Sequence, residues 1–420
     1  MGNQGDKVKS PSLKIFSGDR LLWIIIAVLA VISVLVVYSS TAKMAYDAST
    51  VRSSAQFLRQ QLFVLILGAI VLFATHKIDC RFFRRFSRLL YALSLLATLA
   101  TYFMGTSTNG AARWILILGF QFQPSEALKV ATVLLLANQL AVRQDKISSM
   151  RLLPTINIFK WGLPEQKKIL KEGTLPIILP VVASCAVIFP AHFSSTIIVF
   201  AASLVMMLIG RVQLRELWRF VAVIFCAALL LMSLNLGRSS TASGRFGTWI
   251  DSWTTAYDAE NPTPVDKLSD TQRSMIAIHN GGVFGKGAGQ SVMRVVMTHP
   301  ESDYAYAFYV EEYGLIMGII LMMLYLWIFF RAMEIFRGCS TAFPGLLVLG
   351  LAVLITGQAL LHIAVTVNIL PETGQPLPII SRGGSSVLFT AAALGMILSI
   401  SRQNEEKSHT DPKKESILER

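Results

Sequence analysis

The chain has 420 residues, of which 53% are hydrophobic and only 15% are charged. Its mean hydropathy of +0.56 is too high for a soluble domain of this length, so the composition excludes a soluble enzyme and indicates a membrane protein. The net charge of +13 is compatible with nucleic-acid binding, but the distribution of that charge along the chain favours a different explanation.

Long apolar segments follow one another along the chain. Spanning a bilayer takes roughly 20 apolar residues per helix. Segments of this kind lie near residues 21–40, 57–75, 86–104, 122–142, 174–191, 194–210, 215–236, 304–330, 343–368 and 385–401. The sequence therefore predicts an all-α polytopic membrane protein of about ten transmembrane helices. No small-residue cleavage site precedes the first segment, so we expect a retained helix and not a signal peptide.

Basic residues cluster in alternate loops. The clusters lie in residues 76–88, 143–173, 211–219 and 331–337, and the loops between them are nearly neutral. This alternation is the positive-inside pattern, which predicts that both termini are cytoplasmic. It also explains the net charge without a nucleic-acid partner.

The pattern divides the chain into a membrane domain with two tails. We expect a cytoplasmic tail over 1–20, a ten-span domain over 21–401 and a disordered cytoplasmic tail over 402–420. The large loop 237–303 between spans 7 and 8 is then on the outer side, and a loop of this length is usually functional.

A glycine-rich stretch in that loop, NGGVFGKGAG (280–289), resembles a phosphate-binding loop. The nucleotide-binding spacing requires glycine at position 280 and Ser or Thr after the lysine, but the chain has Asn280 and Gly287. We therefore expect these glycines to serve tight turns or a close approach to a ligand.

Three carboxylates lie where the large loop meets the eighth span. Asp303 has two possible roles. It is either a helix cap, or a general base or cation ligand that faces a cavity, and its position in the sequence does not decide between the two. Glu311 and Glu312 lie deeper, where hydrogen bonding inside the bundle is favoured over chemistry.

Other polar residues interrupt the spans and outer turns. Glu126 and Lys129 have the i, i+3 spacing of an ion pair, with coupling to a substrate or partner as the alternative. Arg113 and Trp114 suit an interfacial anchor or a contact of the guanidinium with an anionic lipid phosphate. His192 is expected to be a satisfied polar residue.

Two further outer residues have a weaker signal. His299 lies four residues before Asp303, but two ligands alone make a weak metal site. Arg382 is an outer cation beside Gly383 and Gly384, which permit a close approach of the backbone.

Four motifs appear in an order that resembles a known family. They are NGAARWILILGFQFQPSEALK (109–129), GGVFGKGAGQS (281–291), SDYAYAFYVEEYG (302–314) and LPETGQPLPIISRGGSS (370–386). Together they resemble the SEDS family (shape, elongation, division and sporulation) over essentially the whole chain. The SRGGSS form and the charged tails are most similar to the division member of the family.

The resemblance implies a peptidoglycan glycosyltransferase that polymerises lipid II, a disaccharide-pentapeptide on an undecaprenyl pyrophosphate anchor. It places the family's essential aspartate, and with it a possible cation ligand, on Asp303. It places substrate-binding or supporting residues on Arg113, Trp114, Glu126, Lys129, Lys286, Arg382, Ser385 and Ser386. Mg²⁺ or Mn²⁺ is the cofactor that this chemistry allows, and no organic cofactor is expected.

The resemblance also implies partners and a location. The partners are a class B penicillin-binding protein transpeptidase and other membrane proteins of the division machinery. The location is the cytoplasmic membrane of a bacterium, at the septum, with the active side facing outwards. Three positions depart from the family pattern, namely HPES (299–302), PAHFSS (190–195) and Arg382 in place of a tyrosine.

Three alternatives remain open. A flippase for lipid II is suggested by polar residues in the bundle, but we find none of the internal repeats common in transporters. A polymerase of the elongation type is the second alternative, and a scaffold that recruits the transpeptidase is the third. A scaffold would make Asp303 dispensable.

Overall fold

The structure is a computed structural model, and it describes residues 16–41, 54–104, 106–108, 111–117, 120–148, 151–153, 164–233, 239–254, 268–293, 296–297 and 301–410. In chain order the helices are α1 (Arg20–Ser40), α2 (Ser54–Lys77), α3 (Cys80–Met104), α4 (Pro124–Val142), α5 (Pro164–Ile169), a π-helical segment (Leu170–Ile178), α6 (Leu179–Ile188), α7 (Phe193–Ile209), α8 (Leu214–Ser233), α9 (Ser239–Thr254), α10 (Asp270–Gly281), α11 (Ala305–Arg337), α12 (Ala342–Thr366) and α13 (Gly384–Thr410).

The helices confirm the predicted all-α polytopic architecture. Eight helical stretches in the described part of the chain are long and apolar enough to cross a membrane, and α7 is a shorter apolar helix. The predicted seventh span, 215–236, coincides with α8. The fifth, 174–191, coincides with the run from α5 through the π-helical segment to α6, in which Pro176 lies within the π-helical turns.

The middle of the bundle is formed by α4, α12 and α13, which are buried over most of their lengths. Helix α4 packs on α3, α7 and α12, while α12 also packs on α11 and α13 packs on α2. Small residues allow these close approaches: a Cβ on Gly350 of α12 would lie 2.7 Å from Cγ1 of Val133 on α4. The helices that carry the polar site residues are therefore held at the centre of the bundle.

The predicted outer segment 106–113 and the residues after it form strands instead of an irregular loop. Strands β1 (Thr106–Thr108), β2 (Ala111–Ile117) and β3 (Phe120–Phe122) pair antiparallel in the order β1-β2-β3. Thr106 pairs with Trp114, and Ile115 pairs with Phe122. Trp114 and the backbone of Arg113 thus lie in a strand some residues before α4, and not at the edge of the span itself.

The segments predicted as the large outer loop and as the disordered C-terminal tail both contain helix. The predicted outer loop 237–303 contains α9 and α10, and the predicted disordered tail begins inside α13, which continues to Thr410. Arg402 explains part of this continuation, because it bonds Glu406 one turn later at 2.9 Å and lies 3.8 Å from Asp79.

Helix α11 is broken near its start. Gly314 has φ 86° and ψ 169°, which is non-helical, so the predicted continuous span is divided there. A side chain rarely adopts this backbone conformation, and glycine is the residue that permits it.

Candidate active site

Asp303 lies in the turn Glu301–Tyr304 that leads into α11. The N-cap of α11 is Tyr304, without a side-chain cap hydrogen bond, so the helix-cap interpretation of Asp303 is wrong. Oδ1 of Asp303 instead accepts a hydrogen bond from Oγ of Ser302 at 2.8 Å. The Asp303 side chain is half-buried, so its carboxylate is held in place but accessible.

The segment 370–386 packs directly against this turn. A Cβ on Gly374 would lie 3.5 Å from Oδ2 of Asp303. Ser381 donates its hydroxyl to the carbonyl of Ser302 at 2.7 Å, and the Arg382 N–H donates to the carbonyl of Glu301 at 2.9 Å. Two motifs that are about 70 residues apart in sequence therefore form one site around Asp303.

Glu372 adds a second carboxyl group to this site. Burial raises the pKa of Glu372, the carboxylates of Asp270 and Asp303 raise it further, and Arg245 opposes the increase. Arg245 also donates to the backbone carbonyl of Glu372 at 3.3 Å. Burial likewise raises the pKa of Tyr304, with the charge of Glu372 as the next cause.

A buried polar column runs from the site into the bundle. Lys129 Nζ lies 2.8 Å from Oε1 of Glu126 and donates to Oε1 of Gln358 on α12 at 3.0 Å. One turn along α12, His362 is fully buried and lies within electrostatic range of Asp303. The predicted Glu126–Lys129 ion pair is therefore formed, and α12 links it to Asp303.

The loop that carries Gly374 completes this column. Gln358 donates to the carbonyl of Pro376 at 3.0 Å, and Nδ1 of His362 lies 2.7 Å from the carbonyl oxygen of Gln375. Gln375 in turn donates to Oγ of Ser194 and Ser195 at the start of α7. The polar groups of α12 and α7 thus hold the loop in place.

A cavity opens beside the ion pair. It is small, with a volume of about 10 Å³ for a water-sized molecule, and it is lined by α4, α12 and α13. Its polar lining comes from Glu126, Lys129, Gln358 and Thr390, while Phe389 supplies an aromatic wall. A polar cavity of this size has room for about one water molecule.

Glu311 and Glu312 have a different environment. Glu311 is fully buried and accepts hydrogen bonds from Oγ of Ser291 and from the backbone N–H of Val292 and Met293. Glu312 accepts from Oγ of Ser39 at 2.6 Å and from the N–H of Gly289 at 2.9 Å. These contacts match the hydrogen-bonding role that the sequence favours.

The glycine-rich stretch docks on the break in α11. A Cβ on Gly281 would lie 2.8 Å from Cα of Glu311, and one on Gly285 would lie 2.6 Å from the carbonyl carbon of Glu312. The N–H groups of Lys286 and Gly287 donate to the carbonyls of Glu311 and Glu312 at 3.0 and 2.9 Å. The glycines therefore permit a close approach to another backbone segment. We call residues 281–293 together with Glu311, Glu312 and Gly314 the clasp.

The remaining predicted residues lie outside the Asp303 turn. Lys286 belongs to the clasp, with Nζ 3.6 Å from Oε1 of Glu311. His192 is buried and bonds Nε2 of Gln123 at 2.7 Å, as expected for a satisfied polar residue. The side chain of Arg113 and the whole of His299 lie outside the described residues.

Sequence analysis missed Glu372, Gln358 and His362. For the last two a signal existed, because polar residues at 358, 362 and 366 follow the i, i+4 spacing of one helix face. The sequence gives no such signal for Glu372, because its electrostatic surroundings depend on Asp270 and Asp303 lying nearby in space.

The described residues do not assemble a conventional metal site. Within them, no group of three or more His, Cys, Asp or Glu side chains has the arrangement that holds a metal ion. Mg²⁺ is often held by one or two carboxylates together with the phosphates of a substrate, an arrangement that needs no cluster of three protein ligands. A requirement for added divalent cation stays a prediction.

Comparisons with known proteins cover nearly the whole chain. The FtsW/RodA/SpoVE family model, described as "Cell cycle protein", matches residues 19–406. The chain is 24% identical to "Probable peptidoglycan glycosyltransferase FtsW" of Marinomonas mediterranea, over 91% of this chain and 88% of that protein. It is 26% identical to "Stage V sporulation protein E" of Bacillus subtilis, over 92% and 97% of the two chains.

A solved structure has the same fold. It was determined in work on "Structural coordination of polymerization and crosslinking by a peptidoglycan synthase complex". The match has a TM-score of 0.65 and 20% identity, and it covers 92% of this chain and 98% of the other.

Proposed function

The chain belongs to the FtsW/RodA/SpoVE family, and on that premise we propose that it is a peptidoglycan glycosyltransferase. It polymerises lipid II into glycan strands at the outer face of the bacterial cytoplasmic membrane during cell division. The observation that carries this proposal is the half-buried Asp303 carboxylate, which lies at the end of a buried polar column and outside any helix-capping role.

The chemistry assigns one task to Asp303. A sugar 4-hydroxyl of one lipid-linked chain attacks the anomeric carbon of another, and its proton passes to the Asp303 carboxylate as the new C–O bond forms. The bond between that carbon and the pyrophosphate oxygen breaks, and undecaprenyl pyrophosphate leaves with the electron pair. Cationic groups near the leaving oxygen stabilise the charge that develops there.

The distribution of charge supports an outward-facing Asp303. Asp303 precedes the first residue of α11, whereas Arg331 and Arg337 lie near its other end. At that basic end Arg331 pairs with Asp19 before α1, and Arg402 of α13 lies 3.8 Å from Asp79. The positive-inside rule places this end in the cytoplasm and Asp303 on the outer side.

The proposed partner is a class B penicillin-binding protein, whose transpeptidase crosslinks the new strands, within an assembly of other division proteins at the septum. Two observations support it: the relative in Marinomonas has a name of the division type, and the solved structure of the same fold comes from a synthase complex. Failed septa in filamentous cells after depletion are the expected phenotype, whereas rounded cells would indicate an elongation role.

The test of the activity is polymerisation of labelled lipid II by the full chain with its transpeptidase partner, in the presence and absence of Mg²⁺. We expect glycan strands on a gel. Translocation of lipid II across a vesicle membrane is measured in parallel, because translocation without polymerisation would identify a flippase. The absence of both activities would favour a scaffold.

A further inference from the structure

Helix α3 carries several arginines on one face of its first two turns. Arg81, Arg84, Arg85 and Arg88 have the i, i+3, i+4, i+7 spacing, which confines them to roughly 100° of the helix circumference. All of them are exposed, and at 1.5 Å per residue they extend over about 10 Å of the helix axis. We call these residues the arginine stripe.

The stripe borders α4, but its contacts there are to neutral groups. Nε of Arg84 donates to Oδ1 of Asn138 on α4 at 3.4 Å, and Nδ2 of Asn138 donates to Oγ of Ser87 at 2.8 Å. Among the described residues, Arg81, Arg85 and Arg88 have no ion pair and no side-chain hydrogen bond. The positive charge of the stripe is therefore not neutralised by an ion pair within the described part of the chain.

A further cation lies near the stripe at the end of α4. Arg143, the C-cap of α4, is held by neutral oxygens: Nη1 donates to the carbonyl and to Oε1 of Gln139, and Nε donates to the carbonyl of Glu172 at 2.8 Å. Burial lowers the pKa of Arg143, the charge of Arg88 lowers it further, and Glu172 opposes the decrease. Arginines from two helices thus lie within electrostatic range, and an anion between them would relieve their repulsion.

An apolar track continues from the stripe along the same helix. Phe82 is 52% exposed, and its ring centre lies 4.3 Å from that of Phe86 one turn later. Leu89, Leu93 and Leu96 are exposed on the following turns, and all five side chains lie within roughly 80° of the helix circumference. Because α3 is long and apolar enough to cross a membrane, these side chains face acyl chains. A charged face that adjoins such a track fits a lipid with an anionic headgroup better than a water-soluble partner.

We propose that the arginine stripe and Arg143 bind diphosphatidylglycerol (cardiolipin) from the cytoplasmic leaflet. Arg88 and Arg143 hold one phosphate, Arg81 and Arg85 hold the other, and the acyl chains cover the apolar track. Guanidinium forks suit phosphate oxygens, and basic pockets between transmembrane helices on the cytoplasmic side bind this headgroup. The inference goes beyond the proposed function and holds whether or not the chain polymerises lipid II.

Direct binding tests the site without requiring turnover. The full chain is purified in a mild detergent and titrated with lipid, while native mass spectrometry counts the bound molecules. The lipids are cardiolipin, phosphatidylglycerol, which has one phosphate, and neutral phosphatidylcholine. Cardiolipin should bind roughly 10- to 30-fold more tightly than phosphatidylglycerol, because it engages both pairs of arginines.

The double variant Arg81→Gln with Arg88→Gln removes one guanidinium from each pair. It should weaken cardiolipin binding about 25-fold, because each arginine near the surface contributes a factor of about five, which corresponds to about 1 kcal/mol. The matched control is Arg215→Gln with Arg337→Gln, which removes two exposed arginines in the first turn of α8 and at the end of α11. Both lie in basic clusters that the positive-inside rule assigns to the same side of the membrane, and the control should bind cardiolipin as the wild type does.

Unchanged affinity in the double variant, or an equal loss in the control, would overturn the site and leave the arginines as a signal of topology only. Equal affinity for phosphatidylglycerol and cardiolipin would overturn the assignment of two phosphates. Displacement of bound cardiolipin by a poly-glutamate peptide would overturn the lipid in favour of an acidic protein segment. If thermal unfolding shows that the double variant does not fold, Arg88→Gln alone decides, with an expected loss of about fivefold.

Discussion

Asp303 and Glu311 are carboxylates only eight residues apart, and each accepts a hydrogen bond from a serine hydroxyl, yet their burial and their other contacts differ. Glu311 is fully buried in the clasp and accepts hydrogen bonds from one side chain and two backbone N–H groups. Asp303 is half-buried in a turn, with Ser302 as its described donor and the segment around Gly374 beside it. A carboxylate whose lone pairs are already used stabilises a fold, whereas one that remains accessible is able to accept a proton.

The comparison predicts its largest effect at Asp303. Asp303→Asn keeps the shape of the side chain but removes the base, so lipid II polymerisation should fall by about 10²- to 10⁴-fold. The assay is glycan-strand formation with the transpeptidase partner, together with thermal unfolding to confirm that the variant folds. Asp79→Asn is the control, because Asp79 is an exposed carboxylate near Arg402 at the other end of the bundle. Equal rates for Asp303→Asn and wild type would remove Asp303 from catalysis.

Glu311→Gln should lower the stability of the chain and leave its polymerisation rate nearly unchanged, which is the opposite of the effect expected for Asp303→Asn. The amide presents a donor to N–H groups that need an acceptor, so the free energy of unfolding should fall by about 3 kcal/mol. The rate per folded molecule should stay within about twofold of wild type, since such a change in rate is worth less than 0.5 kcal/mol. Thermal unfolding in detergent and polymerisation corrected for folded protein measure the two quantities. A rate loss as large as that of Asp303→Asn, in a variant that unfolds like wild type, would contradict the distinction between the two carboxylates.

The clasp also offers a steric test through a pair of glycines. A Cβ on Gly281 would overlap the backbone of Val310 and Glu311, whereas one on Gly244 in α9 would meet nothing within 4 Å. Gly281→Ala should lower the free energy of unfolding by about 1–3 kcal/mol because backbone atoms must move. Gly244→Ala should be neutral or stabilising by up to about 1 kcal/mol. Similar melting temperatures for the two variants would mean that the clasp is not close-packed.

The smallest effect concerns the dependence of stability on pH. Burial raises the pKa of Glu372 in the folded chain, so the folded state binds this proton more tightly than the unfolded state. Stability therefore falls as pH rises from the ordinary carboxyl pKa through the raised one. Glu372→Gln should flatten this decrease, which melting temperatures between about pH 4 and pH 8 would detect. Glu334→Gln, an exposed carboxylate near the far end of α11, is the control. An unchanged pH profile in Glu372→Gln would contradict the assignment.

Local sequence patterns were sufficient to predict the membrane helices and the Glu126–Lys129 ion pair and to identify the family. Hydropathy over about 20 residues predicts a membrane helix, and the i, i+3 spacing predicts a pair on one helix face, because both depend only on neighbours along the chain. The motifs around Asp303 and Arg382 likewise identified the family that the comparisons then showed.

Tertiary structure alone decided what surrounds each group. The break at Gly314 and the role of the glycine-rich stretch depend on contacts with distant backbone, as when Gly285 packs on Glu312. The sequence left Asp303 open between helix cap and base, and the structure excluded the cap by placing Tyr304 at that position. Burial raises the pKa of Glu372, and Asp270 and Asp303, which come near it only in the fold, raise it further. The physical reason is that burial and electrostatic interaction depend on distance in space, which the order of residues does not determine.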